Sequence, residues 1–203
     1  MGRLWKALLV AGLIGLMLPA DASAAPEGIV MLNFVFAPNP ARLQLGQQAT
    51  WRNEPNDNQH HTATDNSPLA LWDSGDLWGG QTYSFTFTAA ATYSYECTLH
   101  YFFGMVGTVV VRDNVSPPSG PVGTVFTIAA ATVEAPVGMV YDIQKGDPDG
   151  RFRNWIVGTT VPSAQFDSTG HLIGTYRFRS RLRRVSDDAA TGYSPAASID
   201  VTS

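Results

Sequence analysis

After residue 24, no stretch of this chain long enough to form a helix repeats its apolar residues with a helical period. Short β-branched and aromatic runs take its place, separated by Gly, Pro, Asn and Asp. In Thr82-Tyr83-Ser84-Phe85-Thr86-Phe87, aromatic rings alternate with hydroxyls, the pattern of a strand with one dry and one wet face. Such a chain is restricted to all-β architectures, here sandwiches. In the first half the expected strands are 29–36, 42–45, 48–53, 61–64, 70–74, 82–88, 92–97 and 106–112. In the second half Tyr141–Gln144, Arg151–Val157 and Gly174–Arg183 follow the same rule, the last with Tyr176, Phe178 and Leu182 facing away from four arginines.

Composition divides the chain. Residues 1–24 carry Arg3 and Lys6, an apolar run from Ala7 to Pro19, and Ala22-Ser23-Ala24, the form of a secretory signal peptide with a small-x-small cleavage site. A retained anchor is the alternative, but the run is shorter than the about 20 residues a span needs. The expected location is therefore periplasmic or extracellular, with no stable membrane span after cleavage. Asn114–Pro121, with three prolines, reads as a linker between a first domain, 25–113, and a second, 122–203. The first holds three arginines against eight carboxylates; the second is balanced. No basic tract suggests nucleic acid. The acidic first domain could steer toward a basic partner or simply stay soluble.

The chain has one cysteine, so an exported form has no internal disulfide to protect that thiol. It lies in Cys97-Thr98-Leu99-His100-Tyr101-Phe102-Phe103-Gly104-Met105, a C-x2-H-x4-M pattern, with His60-His61 upstream. A free Cys is commonly just a small buried hydrophobe, but here one thiolate, two imidazoles and a thioether are within reach of a single ion. Trigonal His2Cys coordination with a distant axial Met suits copper in electron transfer. The adjacent His60 and His61 point to opposite faces of a strand, so only one can serve. Four protein ligands leave no open position, which argues against metal-centred catalysis. No nucleophile elbow or phosphate-binding Gly loop is present, and four histidines are too few for a multicopper oxidase.

Residues 28–112 resemble a cupredoxin, the plastocyanin/azurin class of blue-copper proteins. The residues carrying the resemblance are Trp51-Arg52-Asn53, His61-Thr62, Asp73-Ser74-Gly75, Phe85-Thr86-Phe87 and Thr92-Tyr93-Ser94-Tyr95-Glu96-Cys97. The closing Cys97-Thr98-Leu99-His100-Tyr101 and Gly104-Met105-Val106-Gly107 are most similar to the pseudoazurin loop. The resemblance implies an eight-stranded Greek-key sandwich in which His61, Cys97, His100 and Met105 ligate one Cu(I)/Cu(II) ion. His60 is then an exposed histidine. It also implies that electrons pass at a rim around His100, here Tyr101, Phe102 and Phe103. Thr62 stands where near relatives often carry Asn, which leaves the bond to the cysteine segment open, and Phe102-Phe103 is bulkier than the loop usually is.

Residues 122–203 resemble a fibronectin type III or immunoglobulin-like sandwich, through Tyr176-Arg177-Phe178-Arg179 and the final run Ser194–Val201, with Tyr176 in the role of a corner tyrosine. Arg177, Arg179, Arg181 and Arg183 form a row that is either a solvated face balanced by acids or a docking surface. If the strand bearing Arg151, Arg153 and Trp155 is its neighbour, guanidinium groups would sandwich Trp155. His171 takes no role.

The expected function is an exported, non-enzymatic blue-copper protein that carries single electrons between protein redox partners. The alternatives are an extracytoplasmic copper-binding or delivery module, and an interaction protein whose C-terminal domain binds a partner or surface.

Overall fold

The computed structural model describes residues 25–203; the expected signal peptide lies outside them. Eight strands build the first unit: β1 (Glu27–Leu32), β2 (Val35–Ala37), β3 (Ala41–Leu43), β4 (Gln48–Asn53), β5 (Thr64–Asp65), β6 (Thr82–Thr86), β7 (Ala91–Glu96) and β8 (Val106–Val111). They form two four-stranded sheets, ordered β2-β1-β4-β6 and β3-β8-β7-β5. The inward residues of both enclose Ile29, Met31, Trp51, Phe87, Tyr95 and Val109, all essentially without solvent contact. Trp51 and Trp72 stack at 5.9 Å in its centre.

Three expected strands differ. The run 29–36 is a hairpin rather than one strand, broken by a two-residue turn at Asn33 and Phe34. Of residues 61–64 only Thr64 joins a ladder, in the short β5, and 70–74 joins none; single bridges, His61 to Leu77 and Thr64 to Asp73, link the two runs to their neighbours. Asp65 explains this locally. Its carboxylate accepts the N–H groups of Ser67 (2.8 Å) and Leu71 (2.7 Å), turning the backbone where a ladder would run.

The second unit holds β9 (Asn114–Ser116), β10 (Ser119–Pro121), β11 (Val125–Ala129), β12 (Met139–Gly146), β13 (Phe152–Thr159), β14 (Ser163–Asp167), β15 (Gly174–Arg184) and β16 (Ala197–Thr202). One sheet is ordered β10-β16-β15-β12-β13 and the other β14-β11-β9. The segment expected to be a linker is thus two strands of this unit. Both lie at sheet edges, where proline's missing N–H costs no ladder bond. Tyr176 does act as a corner, its hydroxyl donating to the Leu172 carbonyl at 2.9 Å. Trp155, by contrast, is not sandwiched by guanidinium groups. β12 separates β13 from β15, and Trp155 packs on Phe178 (5.3 Å) and Phe166 (6.2 Å). Arg179 lies over Phe152 and Tyr193 instead. Arg181 and Arg183 both pair with the buried Asp142 carboxylate and Arg183 also with Asp188, two acids for two arginines, so that part of the arginine row is a balanced face.

The two units share a packed junction. Ala90 N–H donates to the Ala130 carbonyl (2.7 Å), and Thr92 and Gly192 exchange backbone bonds of 2.9 and 3.0 Å. Leu69 and Ala89 of the first unit cluster with Ala131, Tyr141 and Leu182 of the second. Asp113, buried beside them, accepts from the hydroxyls of Ser180 and Ser194. Thr92 lies near the start of β7, five residues before Cys97, so the second unit braces that strand at the end remote from the cysteine. Among the described residues no helix is long and apolar enough to cross a membrane.

Candidate metal centre

β7 ends at Glu96, and Cys97 follows as the chain leaves the sheet. The loop then closes tightly. His100 N–H donates to the Cys97 carbonyl (3.0 Å), Tyr101–Phe103 form a single 3-10 turn, and Gly104 ends it at φ 82°, a left-handed conformation that favours glycine. Cys97 N–H donates to the Met105 carbonyl at 3.0 Å, which locks the return into β8. One loop therefore holds Cys97, His100 and Met105 together. His61 arrives from the other side through its paired backbone bonds with Leu77.

His61 Nδ1 lies 3.1 Å from His100 Nδ1, and Cys97 Sγ lies 3.8 and 3.4 Å from them. A triangle with these sides has its centre roughly 2 Å from each corner, close to the length of a nitrogen–metal bond of this kind. Three lone-pair atoms converge on that point, and among the described residues no ammonium or guanidinium group is bonded to them. A soft thiolate with two imidazoles fits copper. Cys97, His61 and Met105 are fully buried, whereas His100 keeps partial access to solvent. Burial, with His61 and then His60 adding like charge, holds the His100 imidazole below its usual value and so favours the neutral, ligating form.

The residues around the triangle fix it. Thr62 N–H donates to Cys97 Sγ at 3.3 Å, and Thr62 Oγ1 accepts Thr98 N–H at 2.9 Å. Thr62 thus ties the His61 segment to the cysteine loop. His60 faces away, stacked on Trp78 at 4.3 Å and 3.0 Å from an Asp76 oxygen. Two contributors were not recognised from the sequence. Asp57, with a side chain only 6 % exposed, lies 3.1 Å from His61 Nε2 through Oδ2. Burial alone would raise its carboxyl, but bonds from Gln59 N–H, His61 and Asn33 N–H outweigh burial and hold it below the usual carboxylate value. Phe34 packs edge-on against His100 at 4.7 Å. An aspartate four residues before a histidine was a readable signal for the first; nothing local pointed to the second.

Residues 28–112 match the family model described as copper binding proteins, plastocyanin/azurin family. That stretch carries the whole triangle and supports a cupredoxin domain in the first unit, with copper as its cofactor. The match covers less than half of the chain and does not extend to the second unit. Similar solved structures include a reduced Cu(I) form of an amicyanin variant, 27 % identical over 45 % of this chain and 84 % of that one, TM-score 0.38. A purple cupredoxin from Nitrosopumilus maritimus is 23 % identical over 42 % of this chain and 98 % of that one, TM-score 0.38. No curated protein matches the chain.

Proposed function

We propose that this chain is an exported one-electron carrier, with His61, Cys97, His100 and Met105 as the ligands of a single copper and a protein as redox partner. The observation that carries the reading is the closed triangle of His61, Cys97 and His100, of which only the His100 edge reaches solvent. Bound copper supplies a couple between Cu(I) and Cu(II). The chain supplies the rest. Cys97, held by the Thr62 N–H, must give up its proton to ligate. Buried surroundings exclude water from three of the four proposed ligands, and the Met105 thioether would supply a further soft donor to a bound copper.

His100 is the point of electron entry and exit, and the surface around it is apolar. Phe102 is 81 % exposed and Phe103 73 %. Tyr101 and Phe102 lie with rings 3.8 Å apart. Exposed aromatics grouped at the one accessible ligand suit brief docking of a partner. The decisive experiment is a visible spectrum of the mature protein titrated with Cu(II), beside Cys97→Ser. An intense thiolate-to-copper band that ascorbate bleaches and an oxidant restores is expected. Colourless copper binding that is equal with and without the thiol would refute the reading.

A further inference from the structure

The hairpin turn between β1 and β2 touches both imidazoles. Asn33 and Phe34 have φ values of 51° and 64°, and a bulky side chain in that region is strained. A two-residue hairpin loop with both central residues left-handed ordinarily takes glycine second. Here the second residue is phenylalanine, and its ring meets three partners. It lies 4.7 Å from His100, 5.3 Å from Phe103 and 6.2 Å from His61. The preceding Asn33 N–H donates to Asp57 Oδ2 at 3.2 Å, and that same oxygen faces His61 Nε2. Gln59 N–H holds the other Asp57 oxygen at 2.9 Å.

We infer that the Asn33–Phe34 turn is a clamp that sets both imidazole rings before the metal arrives. On one arm the turn's N–H orients Asp57, and the carboxylate fixes His61 with its proton on Nε2 and its Nδ1 lone pair toward Cys97. On the other arm the Phe34 ring packs edge-on against His100 and limits its rotation at the solvent edge. Phe34 and Asp57 are positioning residues; neither is among the proposed ligands. The strained backbone is kept because a glycine in the turn would release the ring that restrains His100.

The inference rests on the copper reading for its purpose, but its test does not depend on that reading. Phe34→Gly removes the ring and relaxes the turn. The clamp predicts that histidine-ring NMR signals of the metal-free protein lose the ring-current shift on His100 and broaden. It also predicts copper released to excess chelator about tenfold faster, the scale on which partners of metal ligands act. The metal-free unfolding midpoint should hold or rise, the opposite direction to copper retention. Unchanged His100 signals with release within about twofold of wild type would overturn the clamp. Should the midpoint fall, Phe34→Leu decides. If leucine restores stability while release stays fast, the aromatic ring is the clamp; if it restores both, Phe34 is only packing and the inference fails. A wild-type protein with no thiolate–copper band would count against the proposed function alone, because the ring signals are read without metal.

Discussion

Gly107→Ala should destabilise the first unit through a single clash. Gly107 lies opposite Tyr95 on the β7–β8 ladder, and its backbone is ordinary strand, so the glycine is needed for space and not for conformation. A methyl there would meet Tyr95 Cζ most closely, with the hydroxyl oxygen at 2.5 Å and Cε1 at 2.6 Å. Ordinary carbon contacts lie at about 3.5–4.0 Å, so the ring must move by more than about 1 Å. It has no room. Tyr95 is fully buried, with Phe36 at 4.6 Å and Trp51 at 5.4 Å. Overpacking of this kind costs about 1–3 kcal/mol, and the rigid surroundings put the expected loss near ~2 kcal/mol. For a chain of this size that is a fall of roughly 4–8 °C in Tm. Denaturant unfolding of the metal-free protein measures it. Combined with Tyr95→Leu, the alanine should cost little further, giving a coupling of about 2 kcal/mol in a double-mutant cycle. A loss below about 0.5 kcal/mol for the single variant, with no coupling, would refute the argument. Because Tyr95 stands two residues before Cys97 on β7, the same variant should shift the thiolate band if the ring's displacement reaches the ligand.

Asp142→Asn should cost about 3 kcal/mol, because its side chain is 3 % exposed and serves both Arg181 and Arg183. Burial raises that carboxyl, but its bonds from Arg183 and Arg181 prevail and hold it below the usual range. The difference between variant and wild type is therefore full above about pH 4 and shrinks as pH falls through the depressed value, which acid titration of unfolding would show. Thr62→Val removes the acceptor of Thr98 N–H while leaving its own N–H on Cys97 Sγ. A loss of about 1 kcal/mol with the thiolate band kept is expected, and disappearance of the band would contradict the division of roles. Phe102→Ser, at an 81 % exposed position, should leave stability within about 0.5 kcal/mol and the spectrum unchanged. It should slow electron exchange with a protein partner in stopped-flow measurements; an unaffected rate would remove Phe102 from the docking surface.

How much of this was legible in the chain varied with distance along it. Cys97, His100 and Met105 fall within nine residues, so a single loop joins them and the pattern could be read directly. Most strands were legible for a similar reason, since alternation is a local property of the backbone. The choice between His60 and His61 needed the family resemblance, since adjacent strand residues are equivalent by period alone. The 70–74 run was misread because the Asp65 carboxylate competes for backbone N–H groups that a ladder would use. Asn114–Pro121 looked like a linker because prolines signal a break, and the local pattern does not reveal that both pieces lie at sheet edges.

The chain by itself determined the chemistry available: one thiol, the histidines and a methionine at metal-binding spacing, on an all-β frame. Tertiary structure decided what holds those groups in place. Asp57 reaches His61, Phe34 reaches His100, and Tyr95 covers Gly107 across strands. It also decided that the second unit braces the base of β7. Short-range pattern encodes strands and loops because backbone geometry is local. Contacts between segments depend on sheet order and register, which emerge only when the two faces bury one another.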